Sequence, residues 1–187
     1  MRGRAMRPAA PLVAVLAAVT LAACGAGGET TTAVPDREGD AQLLNQVLAR
    51  QLGAVHAYGA VLGGLRGFDL AAARRFRAQE QEHEDAIVKA LRGLGGAAAP
   101  EAEEIEPEGV KSRADRLRFL YEVESATIDE ELSAISKLTA PWPRALLGSI
   151  VANQAQHLAI LRRALGAGPL AAVPEAFENG TVPLPGE

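Results

Sequence analysis

Two stretches of the chain follow one pattern, and that repeat limits the fold more than any other feature. In the first, Leu44, Leu48, Val55 and Leu62 recur at helical spacing, with Gln51 and Tyr58 on the same face. A later segment repeats it with Leu117, Tyr121, Glu124, Ile128, Glu131 and Ile135, at a constant offset of 73. Phe76, Glu80, His83, Ile87 and Leu91 form a second stripe, which returns as Ile150, Gln154, His157, Leu161 and Leu165 at an offset of 74. One apolar stripe per segment means that no helix can bury its face alone, so the four are expected to pack as an all-α bundle of two helical hairpins.

Punctuation between the stripes sets the expected boundaries. Gly63 and Gly64 break the first segment, Asp69 is the expected N-cap of the second, and Gly95 and Gly96 end it. Ser112 and Asp115 have capping-box spacing for the third, and Pro143 suits the first turn of the fourth. The short links within each pair make antiparallel hairpins. Between the pairs runs GGAAAPEAEEIEPEGV, which when extended reaches roughly 50 Å, enough to cross the bundle lengthwise. This is the ferritin-like connectivity. The bundle is expected over residues 40–166 and a Pro-rich tail over 167–187, with Phe177 docking on the bundle and Trp142 covering its end.

Outside the bundle, the N-terminus has the features of an export signal. Arg2, Arg4 and Arg7 precede a short apolar run that ends in Leu21-Ala22-Ala23-Cys24. That ending resembles the lipobox of bacterial lipoproteins, which implies cleavage after residue 23 and a lipid on Cys24. Residues 24–39 then read as a flexible tether. The expected location is outside the cytoplasm, held to the membrane through the lipid on Cys24, with a homodimer or an envelope protein as the partner. Cys24 is the single cysteine, so neither a disulfide nor a thiolate metal site is available. Net charge is -4 with no basic stripe, which argues against a nucleic-acid partner.

Six polar residues fall on the inward stripes at equivalent depth: Gln51, Glu80, His83, Glu124, Gln154 and His157. Burying them is costly unless something pairs them. In di-metal carboxylate bundles two helices each give an acid and two give Glu-x-x-His, because i and i+3 project side by side toward the axis. The positions here follow that scheme, while Gln51 and Gln154 stand where it has acids. Glu131 stands where the first segment has Tyr58. His56 lies off its stripe, and Glu82, Glu84 and Asp85 point away from His83 as a solvated face. Tyr58 and Tyr121 fit a core position or a hydrogen-bonding one behind the ligands.

The segments ARQLGAVHAY, FRAQEQEHEDAI, YEVESATIDEEL and IVANQAQHLAILRRALG, with PEAFENG after them, resemble the secreted bacterial ferritin-like domain family that includes desiccation-related proteins. The resemblance covers roughly residues 40–180. It implies metal ligation by Glu80, His83, Glu124 and His157, with Gln51 and Gln154 as departures. Two acids and two amides suit an oxidised di-iron pair poorly, but a two-His, two-carboxylate set accepts one Zn, Mn or Fe(II). Two functions stay open: an envelope bundle without catalysis, serving in stress or as a scaffold with at most one weak divalent ion, or a metal-dependent oxidoreductase handling iron or reactive oxygen. A metal-free hydrogen-bonded seam is compatible with the first. No catalytic residue is assigned, since no phosphate loop, Ser-His-Asp set or Cys-His pair is present.

Overall fold

The computed structural model describes residues 34–99 and 101–173. The expected signal, Cys24, most of the tether and Phe177 lie outside them. Four helices are present and no strand occurs among the described residues: α1 Arg37–Val61, α2 Gly67–Leu94, α3 Arg113–Lys137 and α4 Pro141–Ala164. No helix among these residues is long and apolar enough to cross a membrane.

Local chemistry sets each end. Asp36 caps α1 by accepting from the Gly39 N–H at 3.0 Å, so the helix begins ahead of Asp40. α2 also starts earlier than expected. Gly67 adopts φ +54, a left-handed conformation that lets the chain enter the helix two residues before Asp69. Asp69 is therefore not the cap but sits in the first turn, where it takes two hydrogen bonds from Arg113, at 2.5 and 3.0 Å. α2 ends on Gly95, at φ +84, whose N–H bonds Arg92, while the Gly96 N–H bonds Leu91. Ser112 and Asp115 form the expected capping box on α3. α4 opens at Pro141 rather than near Pro143. Its entry is held from across the bundle, where the buried Asp40 carboxylate accepts from the Thr139 and Ala140 N–H groups at 2.7 and 2.8 Å.

The crossover gives the topology. Asn45 bonds Ala97 and Ala99, and the Ala49 carbonyl accepts from Glu103, whose carboxylate meets Arg50 at 2.6 Å. Residues 97–99 and 101–105 thus lie along α1, the latter over Gly53, where a Cβ would come within 2.6 Å of the Glu103 carbonyl. α3 starts beside the start of α2, at Asp69, and ends beside the start of α1, at Asp40. It therefore runs parallel to α2 and antiparallel to α1. This is the two-hairpin, long-crossover bundle that the stripes predict.

Apolar packing forms two blocks. One gathers Val61, Phe76, Leu117, Leu120, Leu158 and Leu161, and the other Leu44, Leu48, Ile87, Leu91, Leu138 and Leu147. Each such side chain contributes about 1.5–3 kcal/mol through burial. Between the blocks every helix supplies polar groups. Trp142, in the first turn of α4, is 44% exposed and lies against Gly93 in the last turn of α2.

Candidate metal centre

Gln51, Glu80, Glu124, Glu131, Gln154 and His157 are all 0–1% exposed. Their inward position follows from the stripes, and the apolar blocks above and below exclude water from them. Glu80 is the hub. Its Oε2 accepts from the amides of Gln51 and of Gln154, the latter at 3.2 Å, and faces His83 Nδ1 at 3.3 Å. Its Oε1 faces His157 Nδ1 at 3.1 Å. The same His157 nitrogen lies 3.0 Å from Glu124 Oε1, which also accepts from the Tyr58 hydroxyl.

Glu80, Glu124 and His157 therefore converge, with one ligand atom from each inside a 4.8 Å circle. His83 is not part of that group. It faces the other oxygen of Glu80 at 3.3 Å, with its side chain 12% exposed. His56 is exposed, as its place off the stripe requires.

Charge in this layer is finely divided. Burial alone would raise Glu80, but hydrogen bonds from His157 and His83 outweigh it and take the carboxyl down to about 2. Burial, then the Glu80 charge, pushes Glu124 up to about 7, against the pull of His157 and Tyr58. Burial would lower His157, yet bonding to Glu124 and Glu80 lifts it to about 9. Burial and then the charges of Glu124 and Glu80 hold the Tyr58 phenol well above its ordinary value. Without a metal these surroundings favour the charged forms of Glu80 and His157 and push Glu124 and Glu131 toward their neutral forms.

Three further groups complete the layer. Gln79 Oε1 sits 3.1 Å from His157 Nε2, so it accepts that N–H and leaves Nδ1 facing the carboxylates. Phe76 stacks on the His157 ring, with centroids 4.0 Å apart and an interplanar angle of 21°. Glu131 is buried with neither oxygen in a well-formed hydrogen bond; burial, then the charges of Glu80 and Glu124, raises it well above the carboxylate range, with Gln154 pulling weakly the other way. The stripe places Glu131 inward, but neither its proximity to the other acids nor the role of Gln79, which lies off the stripe, could be read from spacing.

The donor set fits a divalent ion. Glu124 Oε2 is buried without a hydrogen bond, Glu80 Oε1 meets His157 Nδ1, and one ligand atom of each of the three residues lies within 4.8 Å of the others. Two carboxylates and an imidazole suit Zn, Mn or Fe(II). Such an ion would offset the desolvation that now raises Glu124.

Known proteins agree with this architecture. A bacterial "ferritin like, diiron-carboxylate" protein from Bacillus anthracis has a TM-score of 0.59 at 19% identity, covering 70% of this chain and 98% of that one. DpsC from Streptomyces coelicolor gives 0.63 at 20% identity, covering 71% and 87%. Bacterioferritin from Rhodobacter capsulatus, solved with a metal-free dinuclear site and haem iron, gives 0.60 at 17%, covering 73% and 91%. No curated protein matches the chain. The ferritin-like domain family matches residues 38–167, which span all four helices and their polar layer, and the chain belongs to that family.

Proposed function

We propose that this protein holds a divalent transition metal in the core of an exported, membrane-tethered bundle. The observation that carries the reading is the convergence of Glu80, Glu124 and His157, all buried, with Glu124 Oε2 left without a partner. When bound, the ion supplies positive charge, and in the case of iron or manganese a redox couple. The chain's own groups prepare its place. Tyr58 donates to one oxygen of Glu124 and leaves the other free. Gln79 takes the far N–H of His157, and Phe76 closes over the imidazole face. The Gln51 and Gln154 amides steady Glu80 without adding charge, which favours retention of a reduced, divalent ion over an oxidised pair. Iron is supported as one such metal by the description of a structural neighbour as a diiron-carboxylate protein.

Tethering rests on the arginines at positions 2, 4 and 7 and the LAAC ending at Cys24. The role we infer is a stress or scaffold function at the envelope rather than turnover. Metal analysis of protein purified without chelator tests the central part. At least one Mn, Fe or Zn per chain is expected, lost in His157→Ala, and protein free of metal even after loading with Fe(II) or Mn(II) would refute it. Cys24→Ala should release the protein from the membrane fraction, and unchanged membrane association would refute the tether.

A further inference from the structure

We propose that the end of the bundle at which α1 begins is a docking face for an anionic lipid bilayer, with Trp142 resting among the headgroups. The inference rests on the tether reading above and adds to it which surface of the protein meets the membrane.

Contacts between the helix ends bring the parts of this face together. The Asp36 N–H donates to the Thr139 hydroxyl at 2.8 Å, so the chain enters α1 beside the link that opens α4. Trp142 follows in the first turn of α4, against Gly93 in the last turn of α2, where a Cβ would come within 3.3 Å of the indole. Trp142 and Val34 are both exposed. With Ala86, Ala90, Gly93 and Leu146 the indole lines an open apolar groove, whose one charged member is Lys89. An indole left partly in water beside such a groove suits the headgroup level of a bilayer, where its apolar body is covered and its N–H stays hydrated.

Charge favours the same partner. The helix ends here carry Arg37, Arg92, Lys137 and Arg144, all exposed, with exposed Lys89 a turn inside α2. Their acidic neighbours are Asp36, Glu38 and Asp40. Asp40 is buried on the Thr139 and Ala140 N–H groups, and Asp36 caps α1 through the Gly39 N–H. Cations therefore prevail at this end of a chain whose net charge is -4, and an anionic surface attracts them.

The tether selects this end over the other. A flexible segment from Cys24 to Asp36 has a root-mean-square reach of about 20 Å, whereas α1 is about 37 Å long. A lipid on Cys24 would hold the start of α1 near the surface at an effective concentration in about the millimolar range, so one indole and a few cations suffice to set the orientation. Phe68, also exposed, lies at the start of α2 and so at the opposite end. Docked in this way, the protein carries the buried layer around Gln51 about 20 Å above the headgroups.

Trp142 is the single tryptophan of the chain, so the fluorescence of the unaltered protein reports on this face. The lipidated full chain is reconstituted into vesicles of phosphatidylglycerol and phosphatidylcholine. Its emission is expected to shift to the blue and to fall by about half when the acyl chains carry bromine close to the headgroup. Trp142→Phe combined with Phe68→Trp moves the reporter to the far end and should show no quenching. Lys89→Glu with Arg92→Glu should reduce the quenching of Trp142 by about twofold or more. Emission unchanged by bromine in vesicles that hold the protein by its lipid overturns the docking face and leaves the tether standing. Equal quenching of the two reporters overturns the choice of end, and unchanged quenching after the charge reversal overturns the part assigned to the cations. A full chain found outside the membrane fraction overturns the tether and this inference together.

Discussion

Replacing Gln154 by glutamate reverses the sign of the contact that steadies Glu80. The Gln154 amide nitrogen lies 3.2 Å from Glu80 Oε2, and the side chain is fully buried. A carboxylate oxygen in its place would set two negative charges that far apart, worth about 5 kcal/mol at an effective dielectric of roughly 20. Loss of a hydrogen bond to a charged acceptor adds about 1.5–3 kcal/mol. The new carboxyl escapes part of this by keeping its proton, so the destabilisation expected in chelator at pH 8 is about 2–4 kcal/mol. That lowers the melting temperature by roughly 6–12 °C at about 3 °C per kcal/mol. A carboxyl with a raised folded pKa carries a penalty that grows as pH rises above its unfolded value, so the loss should be smaller at pH 5 than at pH 8. A cation reverses the balance: an ion at a hundred times its Kd adds about 2.7 kcal/mol, and the variant should gain more from Mn(II) than the parent. Circular dichroism melts of both proteins, with chelator and with Mn(II), supply the comparison. Equal melting in chelator at pH 8, or equal Mn(II) shifts, would refute the reasoning.

Other consequences follow from the same layer and from the caps. In chelator, the raised Glu124, at about 7, and the raised His157, at about 9, hold protons that the unfolded chain releases earlier, so stability falls as pH rises from about 5 to 9. Glu80, lowered to about 2, contributes above its ordinary range and is lost as pH falls toward 2, so thermal melts should peak near pH 5. Mn(II) affinity should run the opposite way, rising between pH 6 and 9 as the ion displaces those protons; isothermal titration in buffers of different ionisation enthalpy reads the proton release. Asp40→Ala removes the acceptor for two backbone N–H groups at the entry of α4 and should cost about 3–5 kcal/mol by urea unfolding at unchanged m-value. Its metal stoichiometry should equal that of the parent, because Asp40 lies at the far end of α1 from the polar layer.

Helical period and repeat offset were sufficient to read the bundle, its crossover and the inward direction of Gln51, Glu80, Glu124, Gln154 and His157. Each of these depends on local periodicity, which a packed helix must obey. Contacts that bridge distant segments left no such trace. Asp40 sits a hundred positions from Ala140, and nothing nearby in sequence marks it as the anchor of α4. His83 and His157 occupy equivalent repeat positions, yet one side chain is 12% exposed and the other is closed in under Phe76 of the neighbouring helix. Gln79 is off its stripe and still reaches His157, because a long side chain can lean along the helix surface. Glu131 was visible on the stripe, but as a mismatch with Tyr58. Its nearness to Glu80, Glu124 and Gln154 needs the packing of α3 against the other helices, which only the folded chain supplies. Asp69 misled for a local reason, since the positive φ of Gly67 moved the helix start past it.

Metal binding in the bundle core is tested most directly by a crystal structure of the protein soaked in Mn(II), with anomalous scattering recorded to locate the ion. The expected result is a peak within bonding distance of Glu80, Glu124 and His157 Nδ1. A core without anomalous signal, with Mn(II) only at exposed carboxylates such as those of Glu104, Glu106 and Glu108 on the crossover, would contradict it.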